Sequence, residues 1–187
     1  MAGIDEAGRG PLAGPVVAAA VILPPGFRHD SLNDSKQLSE RMRESLYAEL
    51  TENRGIRWAF AILESDEIDR LNILRATHEA MRRAVAKLDP LPEHVLIDGL
   101  PVNPFPVPQT ALVGGDGLSF SIAAASVIAK VTRDRLMVEM DARYPGYDFA
   151  RHKGYGTPQH LAALKQHGPC PIHRRSFFPV QQAALAL

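Results

Sequence analysis

The sequence of 187 residues contains one cysteine, Cys170. A single cysteine excludes an internal disulfide and any structural metal site built from several thiolates. No apolar run approaches the roughly 18 residues that a membrane helix needs, and the start lacks the basic and apolar regions of a secretory signal. We therefore expect a cytoplasmic protein that spans no membrane. The length suits a single domain, and we expect a monomer.

Acidic residues are absent from the last part of the chain. The net charge is zero, with 21 basic and 21 acidic residues, but residues 151–187 contain five Lys or Arg and no Asp or Glu. A basic end on an acidic body suits a phosphate backbone as partner, although a solvated surface would explain these charges nearly as well. We interpret residues 1–187 as one domain, in which residues 143–187 form a basic C-terminal segment that binds substrate.

Apolar patterning predicts interleaved strands and helices. The predicted strands are residues 2–6, 15–23, 56–63, 94–97 and 109–113. Helices are predicted after the N-cap Ser39, from Ser65, over 74–88 and 119–141, and from Thr157, where Pro158 suits the first helical position. This alternation indicates an α/β fold with a mixed sheet flanked by helices and a small helical C-terminal part.

Two adjacent carboxylates, Asp5 and Glu6, follow the first predicted strand. Their negative charges repel, so a cation would stabilise them, and Mg²⁺ and Mn²⁺ prefer oxygen ligands. Gly8 and Gly10 flank Arg9, which places accessible backbone beside a positive charge and suits a phosphate or a sugar hydroxyl. The motif therefore suggests phosphodiester chemistry, while an exposed acidic turn is an equally good interpretation of these residues alone.

Two further acids stand at element boundaries. Asp98 follows an apolar strand, at the usual place for a ligand site in an open α/β sheet, and Asp116 lies in the glycine-rich opening of the long helix. A turn-forming Asp-Gly and a helix-entry acid are the alternatives. Asp134 lies deep in the long helix, where we favour an ion pair over metal ligation. The histidines at 152, 160, 167 and 173 lack the pattern of a zinc site and are expected at the surface or on phosphates.

Seven sequence blocks resemble motifs of the ribonuclease HII family. They occur in the family's order and span the chain, so together they are far more specific than any one of them. The blocks are residues 5–10, 33–38, 97–99, 115–116, 124–134, 152–157 and 174–180.

This resemblance implies a ribonuclease H-like fold and an endonuclease that cuts the RNA strand of RNA–DNA hybrids. It also implies incision 5′ of single ribonucleotides embedded in duplex DNA, leaving 3′-hydroxyl and 5′-phosphate ends. The family's active-site acids correspond to Asp5, Glu6, Asp98 and Asp116, which would bind two Mn²⁺ or Mg²⁺ ions.

The resemblance also implies a set of substrate contacts. Ribonucleotide recognition corresponds to Gly8, Arg9, Gly10 and Tyr155. Lys36 resembles a phosphate contact of the family, and Lys153 and Arg174 of the basic segment are further candidates for binding the duplex backbone.

Two alternatives and one subgroup question remain open from the sequence. A catalytically inactive nucleic-acid-binding module would have no reason to retain four mutually repelling carboxylates. A DNA junction nuclease of the same fold would not need a ribose-sensing Gly-Arg-Gly motif. Only four residues precede Asp5, so we expect the HII subgroup and not the HIII subgroup, which typically carries an added N-terminal domain.

Overall fold

A five-stranded mixed sheet forms the centre of the computed structural model, which describes residues 1–32 and 38–185. The strands are β1 (Ala2–Ala7), β2 (Val16–Ile22), β3 (Arg57–Leu63), β4 (Val95–Asp98) and β5 (Gln109–Leu112). Their order is β3-β2-β1-β4-β5. The β1–β2 and β2–β3 pairs are antiparallel, whereas β1–β4 and β4–β5 are parallel. The predicted α/β class and mixed sheet are confirmed.

Seven α-helices surround the sheet in the described ranges. They are α1 (Glu40–Glu52), α2 (Ser65–Leu71), α3 (Ile73–Ala86), α4 (Phe120–Arg143), α5 (Phe149–His152), α6 (Pro158–His167) and α7 (Phe178–Leu185), with a 3-10 turn at Gly115–Gly117. Two predicted N-caps are present, because Ser39 accepts from the Met42 amide and Thr157 from the His160 amide. Helices α5 and α7 were not predicted, since one and two turns are too short to show a helical period.

Alternating residues of β2 bury the two faces of the sheet. Val16, Ala18 and Ala20 pack into the core that includes α3, whereas Val17, Ala19 and Val21 pack into the core that includes α1 and α4. A strand directs successive side chains to opposite faces, so a continuous apolar run indicates helices on both sides. The small alanines let those helices come close.

Gly3 permits the closest approach between a helix and the sheet. A Cβ atom at this position would lie 2.2 Å from the backbone carbonyl carbon of Ser121 and 2.3 Å from the amide nitrogen of Ile122. Only glycine therefore allows the start of α4 to pack on β1. This contact sets the position of α4 along its whole length relative to the end of β1.

The chain after α4 packs against the turn between β1 and β2. The Arg174 amide donates to the Leu12 carbonyl at 2.9 Å, and Ala13 forms an isolated β-bridge with His173. Phe149, Cys170 and Ile172 share a small apolar core with Ala13. The C-terminal helices thus rest on the segment that leads out of Asp5 and Glu6. Among the helices of the described ranges, none is long and apolar enough to cross a membrane.

Candidate active site

Strand pairing brings Asp5 and Asp98 together. Ile4 of β1 is in register with Ile97 of the parallel strand β4, so the two acids are the next residues at neighbouring strand ends. Val95 and Ile97 pack into the core on the α3 side, and alternation therefore turns Asp98 towards α4. The carboxyl ends of parallel strands are the usual ligand site of an α/β sheet.

Burial and nearby negative charges make the charged forms of Asp5 and Glu6 unfavourable. Asp5 is only 7% exposed, and its pKa is raised well above its ordinary value by burial and then by the charges of Glu6 and Asp98. The Glu6 amide donates to Asp5 Oδ1 at 2.7 Å, which offsets part of this effect. Burial also raises the pKa of Glu6, against the attraction of Arg9, whose Nη1 lies 3.2 Å from Glu6 Oε1.

The 3-10 turn places the fourth acid next to Asp98. The Gly115 amide donates to Asp98 Oδ1 at 2.7 Å, and a Cβ atom at Gly115 would lie 2.6 Å from Cδ1 of Ile122. The turn therefore packs tightly between β4 and α4 at Gly115, where a larger residue would displace the Ile122 side chain. Asp116 follows directly, is 7% exposed, and accepts from the Gly117 amide at 3.1 Å.

The chemistry of this donor set fits hard divalent cations. All four candidates offer carboxylate oxygens, as Mg²⁺ and Mn²⁺ require, and a cation would relieve the repulsion that raises the pKa of Asp5. Each acid also accepts from or pairs with a local donor. Within the described residues, no three His, Cys, Asp or Glu side chains already converge to hold an ion.

A groove of about 460 Å³ opens beside Glu6. Glu6 lines it together with Gly8, Arg9, Gly10 and Tyr155. A Cβ atom at Gly10 would lie 3.7 Å from Cε1 of the Tyr155 ring, so the ring approaches the loop closely, and Tyr155 is 44% exposed. The structure thus brings together two motifs that lie 145 residues apart, counted from Gly10 to Tyr155.

Five groove residues were given no role from the sequence. They are Ala7 of β1, Arg43 of α1, and Ser126, Val127 and Lys130 of α4. Ser126 also donates its hydroxyl to Asp5, which lowers the pKa of that acid against the effect of burial. Lys130 Nζ lies 2.6 Å from Asp134 Oδ1, in agreement with the predicted ion pair. The residues at 126, 130, 133 and 137 follow helical spacing, a signal that could have revealed this face of α4.

The predicted substrate contact of Arg174 is wrong. Its side chain is 0% exposed, and its guanidinium donates to backbone carbonyls behind the groove. Lys153 is half-buried, its ammonium group donates to the Ala150 carbonyl, and it does not line the groove. Lys36 lies outside the described residues. Composition alone could not separate the buried arginine from the exposed cations of the same segment.

Three histidines expected at the surface are buried instead. The Cys170 amide donates to His173 Nδ1 at 3.0 Å, so the proton of that ring is on Nε2. His173 Nε2 lies 3.1 Å from His160 Nε2, and His160 Nδ1 lies 2.9 Å from the Tyr155 carbonyl oxygen. The ring of His152 stacks on His160 with centroids 4.5 Å apart. His173 and His160 thus link the Cys170 amide to the Tyr155 carbonyl through a chain of hydrogen bonds, which supports the Tyr155 turn.

We expect this histidine chain to destabilise the protein in mild acid. Burial, and then the neighbouring His160, lowers the pKa of His173 from 6.5 to about 4, and burial also lowers the pKa of His160. The unfolded chain therefore binds more protons between these pH values, so the free energy of unfolding falls as the pH drops from 6.5 to about 4. His173 alone contributes about 3 kcal/mol to this fall.

Urea denaturation between pH 7.5 and 4.5 measures this effect. His173→Gln should flatten the pH dependence by about 1.4 kcal/mol per pH unit within the window. His167→Gln, at an exposed position on α6, is the matched control and should leave the slope as in the wild type. An unaltered slope in His173→Gln would contradict the assignment.

The chain has a mixed sheet with acids at neighbouring strand ends and a glycine-lined groove beside them. These features define the class of proteins with the ribonuclease H-like fold. The model of the family Ribonuclease HII matches residues 2–180. Ribonuclease HII of Geobacillus thermodenitrificans is 57% identical over 183 residues, which cover 98% of this chain and 70% of that protein. Ribonuclease HII of Ruminiclostridium cellulolyticum is 53% identical over 177 residues, covering 95% and 69%.

Solved structures agree with these relatives. The crystal structure of ribonuclease H2 from Pyrococcus horikoshii superposes with a TM-score of 0.79 at 26% identity, covering 98% of this chain and 96% of that one. The chain belongs to the ribonuclease HII family. It is therefore a ribonuclease, and the non-catalytic binding module is set aside.

Proposed function

We propose that this enzyme hydrolyses the RNA strand of RNA–DNA hybrids and incises 5′ of single ribonucleotides embedded in duplex DNA. The observation that carries the proposal is the shared groove, in which Gly8, Arg9, Gly10 and Tyr155 lie beside Glu6. An accessible loop backbone and an exposed tyrosine ring suit contact with the sugar of a nucleotide. The 2′-hydroxyl of that sugar is what separates RNA from DNA at a given position. This disfavours a nuclease for DNA junctions alone.

The acids Asp5, Glu6, Asp98 and Asp116 would hold two divalent ions. When bound, such ions acidify a water nucleophile and neutralise charge on the phosphate and the leaving oxygen. The protein's own part is to keep four carboxylates, two buried and two half-buried, at one end of the sheet and to direct the phosphate towards them. Arg9, beside Glu6, supplies a positive charge at the edge of this cluster. Hydrolysis then leaves a 3′-hydroxyl and a 5′-phosphate.

The glycine loop and Tyr155 divide the recognition of the sugars. Glycine at position 10 leaves the loop backbone open to the 2′-hydroxyl, since a side chain there would hold the sugar away. Glycine at position 8 lets the loop lie on Arg133, because a Cβ atom there would be 2.1 Å from the Arg133 Nε. The half-exposed Tyr155 ring, packed beside Gly10, is placed to stack on the following deoxyribose. A 2′-hydroxyl on that next sugar would crowd the ring. The preferred site is therefore an RNA-to-DNA step.

Residues 143–187 contribute to duplex binding in this proposal. Arg151, Lys165 and Arg175 are exposed, Lys153 is half-buried, and the segment has no acids after Asp148. These charges extend the positive surface beyond the groove cations Arg9, Arg43 and Lys130. Arg174 is excluded from this surface because it is fully buried.

Asp98→Asn tests the role of the carboxylates. We expect the fold and most of the duplex affinity to remain, while turnover falls by several orders of magnitude, because one charge of the metal-binding set is lost. Single-turnover cleavage and duplex binding measure the two effects separately. Asp66→Asn, an exposed acid on α2, is the control. Full turnover in Asp98→Asn, or in excess chelator, would exclude the two-metal mechanism.

Tyr155→Ala tests the assignment of the junction sensor. We expect a larger loss of kcat/KM on a duplex with one embedded ribonucleotide than on a long hybrid, because only the former always presents an RNA-to-DNA step. Tyr155→Phe keeps the ring and should retain the wild-type preference. Equal losses on both substrates would make Tyr155 a general stacking contact.

A further inference from the structure

Two arginine side chains are buried behind the groove, and we refer to Arg133 and Arg174 as the arginine pair. They are 1% and 0% exposed. The ion pairs formed within residues 1–32 and 38–185 include neither guanidinium. A buried cation without a carboxylate partner is costly unless hydrogen bonds replace its water. The burial of these two charges therefore needs a physical explanation.

Within residues 1–32 and 38–185, the acceptors that bind the arginine pair are backbone carbonyls. Arg174 donates to the carbonyls of Gly8, Arg9, Gly14 and Pro15 at 2.5 to 3.1 Å. Arg133 donates to those of Ala13, Pro15 and Lys153 at 2.9 to 3.1 Å. Five of these six acceptors belong to residues 8–15, the loop that contains the Gly-Arg-Gly motif. The planar fork of arginine fixes several acceptors at once, as lysine cannot.

The contacts of Arg174 determine which way two loop amides point. In a trans peptide, the carbonyl and the following N–H point in opposite directions, and the cis bonds of the described chain precede Pro90 and Pro104. Because the Gly8 and Arg9 carbonyls bind Arg174, the N–H groups of Arg9 and Gly10 point away from it. Both residues line the groove. Neither N–H donates to an acceptor in the described part of the chain.

Arg133 links this loop to the Tyr155 turn. Its guanidinium binds the Ala13 and Lys153 carbonyls together and lies 5.9 Å from the centre of the Tyr155 ring. A Cβ atom at Gly8 would lie 2.1 Å from its Nε, so Arg133 packs directly beneath the loop. One rigid group therefore contacts both elements of ribose recognition.

The pair also carries positive charge beneath the groove. Burial lowers the pKa of Arg133 to about 10 and that of Arg174 to about 9, with repulsion from Arg133 adding to the effect at Arg174. Both groups remain charged at neutral pH. In these poorly solvated surroundings their field is weakly screened and favours an anionic backbone in the groove.

We propose that Arg133 and Arg174 are positioning residues for ribonucleotide recognition, an inference that rests on the proposed function. Arg174 turns the Arg9 and Gly10 amides towards the substrate as hydrogen-bond donors. Arg133 holds the glycine loop and the Tyr155 turn as one unit, so that the ribose and the following deoxyribose are sensed at a fixed separation.

A double-mutant cycle between Arg133→Lys and Tyr155→Ala tests the link. Cleavage is measured as kcat/KM on a duplex with one ribonucleotide and on a long hybrid. Arg133→Lys should lose about 10- to 100-fold on the former and less on the latter. The double variant should lose no more than the worse single variant, within about twofold. Losses that multiply would overturn the proposal for Arg133.

Two controls separate positioning from general stability. Arg135→Lys alters an exposed arginine on the same helix, stacked on Tyr47, and its loss should stay within about twofold and multiply with that of Tyr155→Ala. Arg174→Lys should lose equally on both substrates, because the loop amides face every ribonucleotide. A junction-selective loss in Arg174→Lys would overturn its separate role.

The wild-type enzyme provides a test that does not depend on the folding of any variant. Amide hydrogen exchange at Arg9 and Gly10 should be fast in the free protein. In chelator, it should slow on binding a ribonucleotide-containing duplex more than on binding an all-DNA duplex. Equal protection by both duplexes, or protection already in the free protein, would overturn the proposal. Wild type that cuts neither substrate would instead refute the proposed function.

Discussion

The packing of α4 on β1 is the contact on which the site depends. Gly3 allows this approach, since any side chain there would collide with the backbone of Ser121. With the start of α4 fixed, its polar face follows at helical spacing. Ser126 then reaches Asp5, Lys130 reaches the groove, and Arg133 reaches the glycine loop. This one helix–strand contact therefore positions a hydroxyl beside Asp5, an ammonium group in the groove and a guanidinium group at the glycine loop.

Much of the fold could be predicted because local patterns determine it. The apolar run of β2 indicates a strand with both faces buried, and Ser39 and Thr157 have the side chains that cap helices. The position of Asp98 could be predicted for the same reason, since the apolar strand before it ends at the sheet edge. Helix α5, a single turn entered through a left-handed residue, gives no such periodic signal.

The sequence could not separate buried polar side chains from exposed ones. Arg174 and Arg175 are adjacent and chemically alike, yet Arg174 is buried and Arg175 exposed. Backbone carbonyls that face inward decide this, and their direction is a tertiary property. His160 and His173 are buried through a similar tertiary contact, a hydrogen bond between their rings that joins positions 13 residues apart.

Cleavage of an end-labelled DNA duplex that contains one ribonucleotide tests the central claim, that the groove beside the acids senses a ribose. The product should be a single incision on the 5′ side of the ribonucleotide, present with Mg²⁺ or Mn²⁺ and absent with chelator. A matched all-DNA duplex should remain intact. Equal cutting of the two duplexes, or cutting at positions unrelated to the ribonucleotide, would contradict ribose recognition by Gly8–Gly10 and Tyr155.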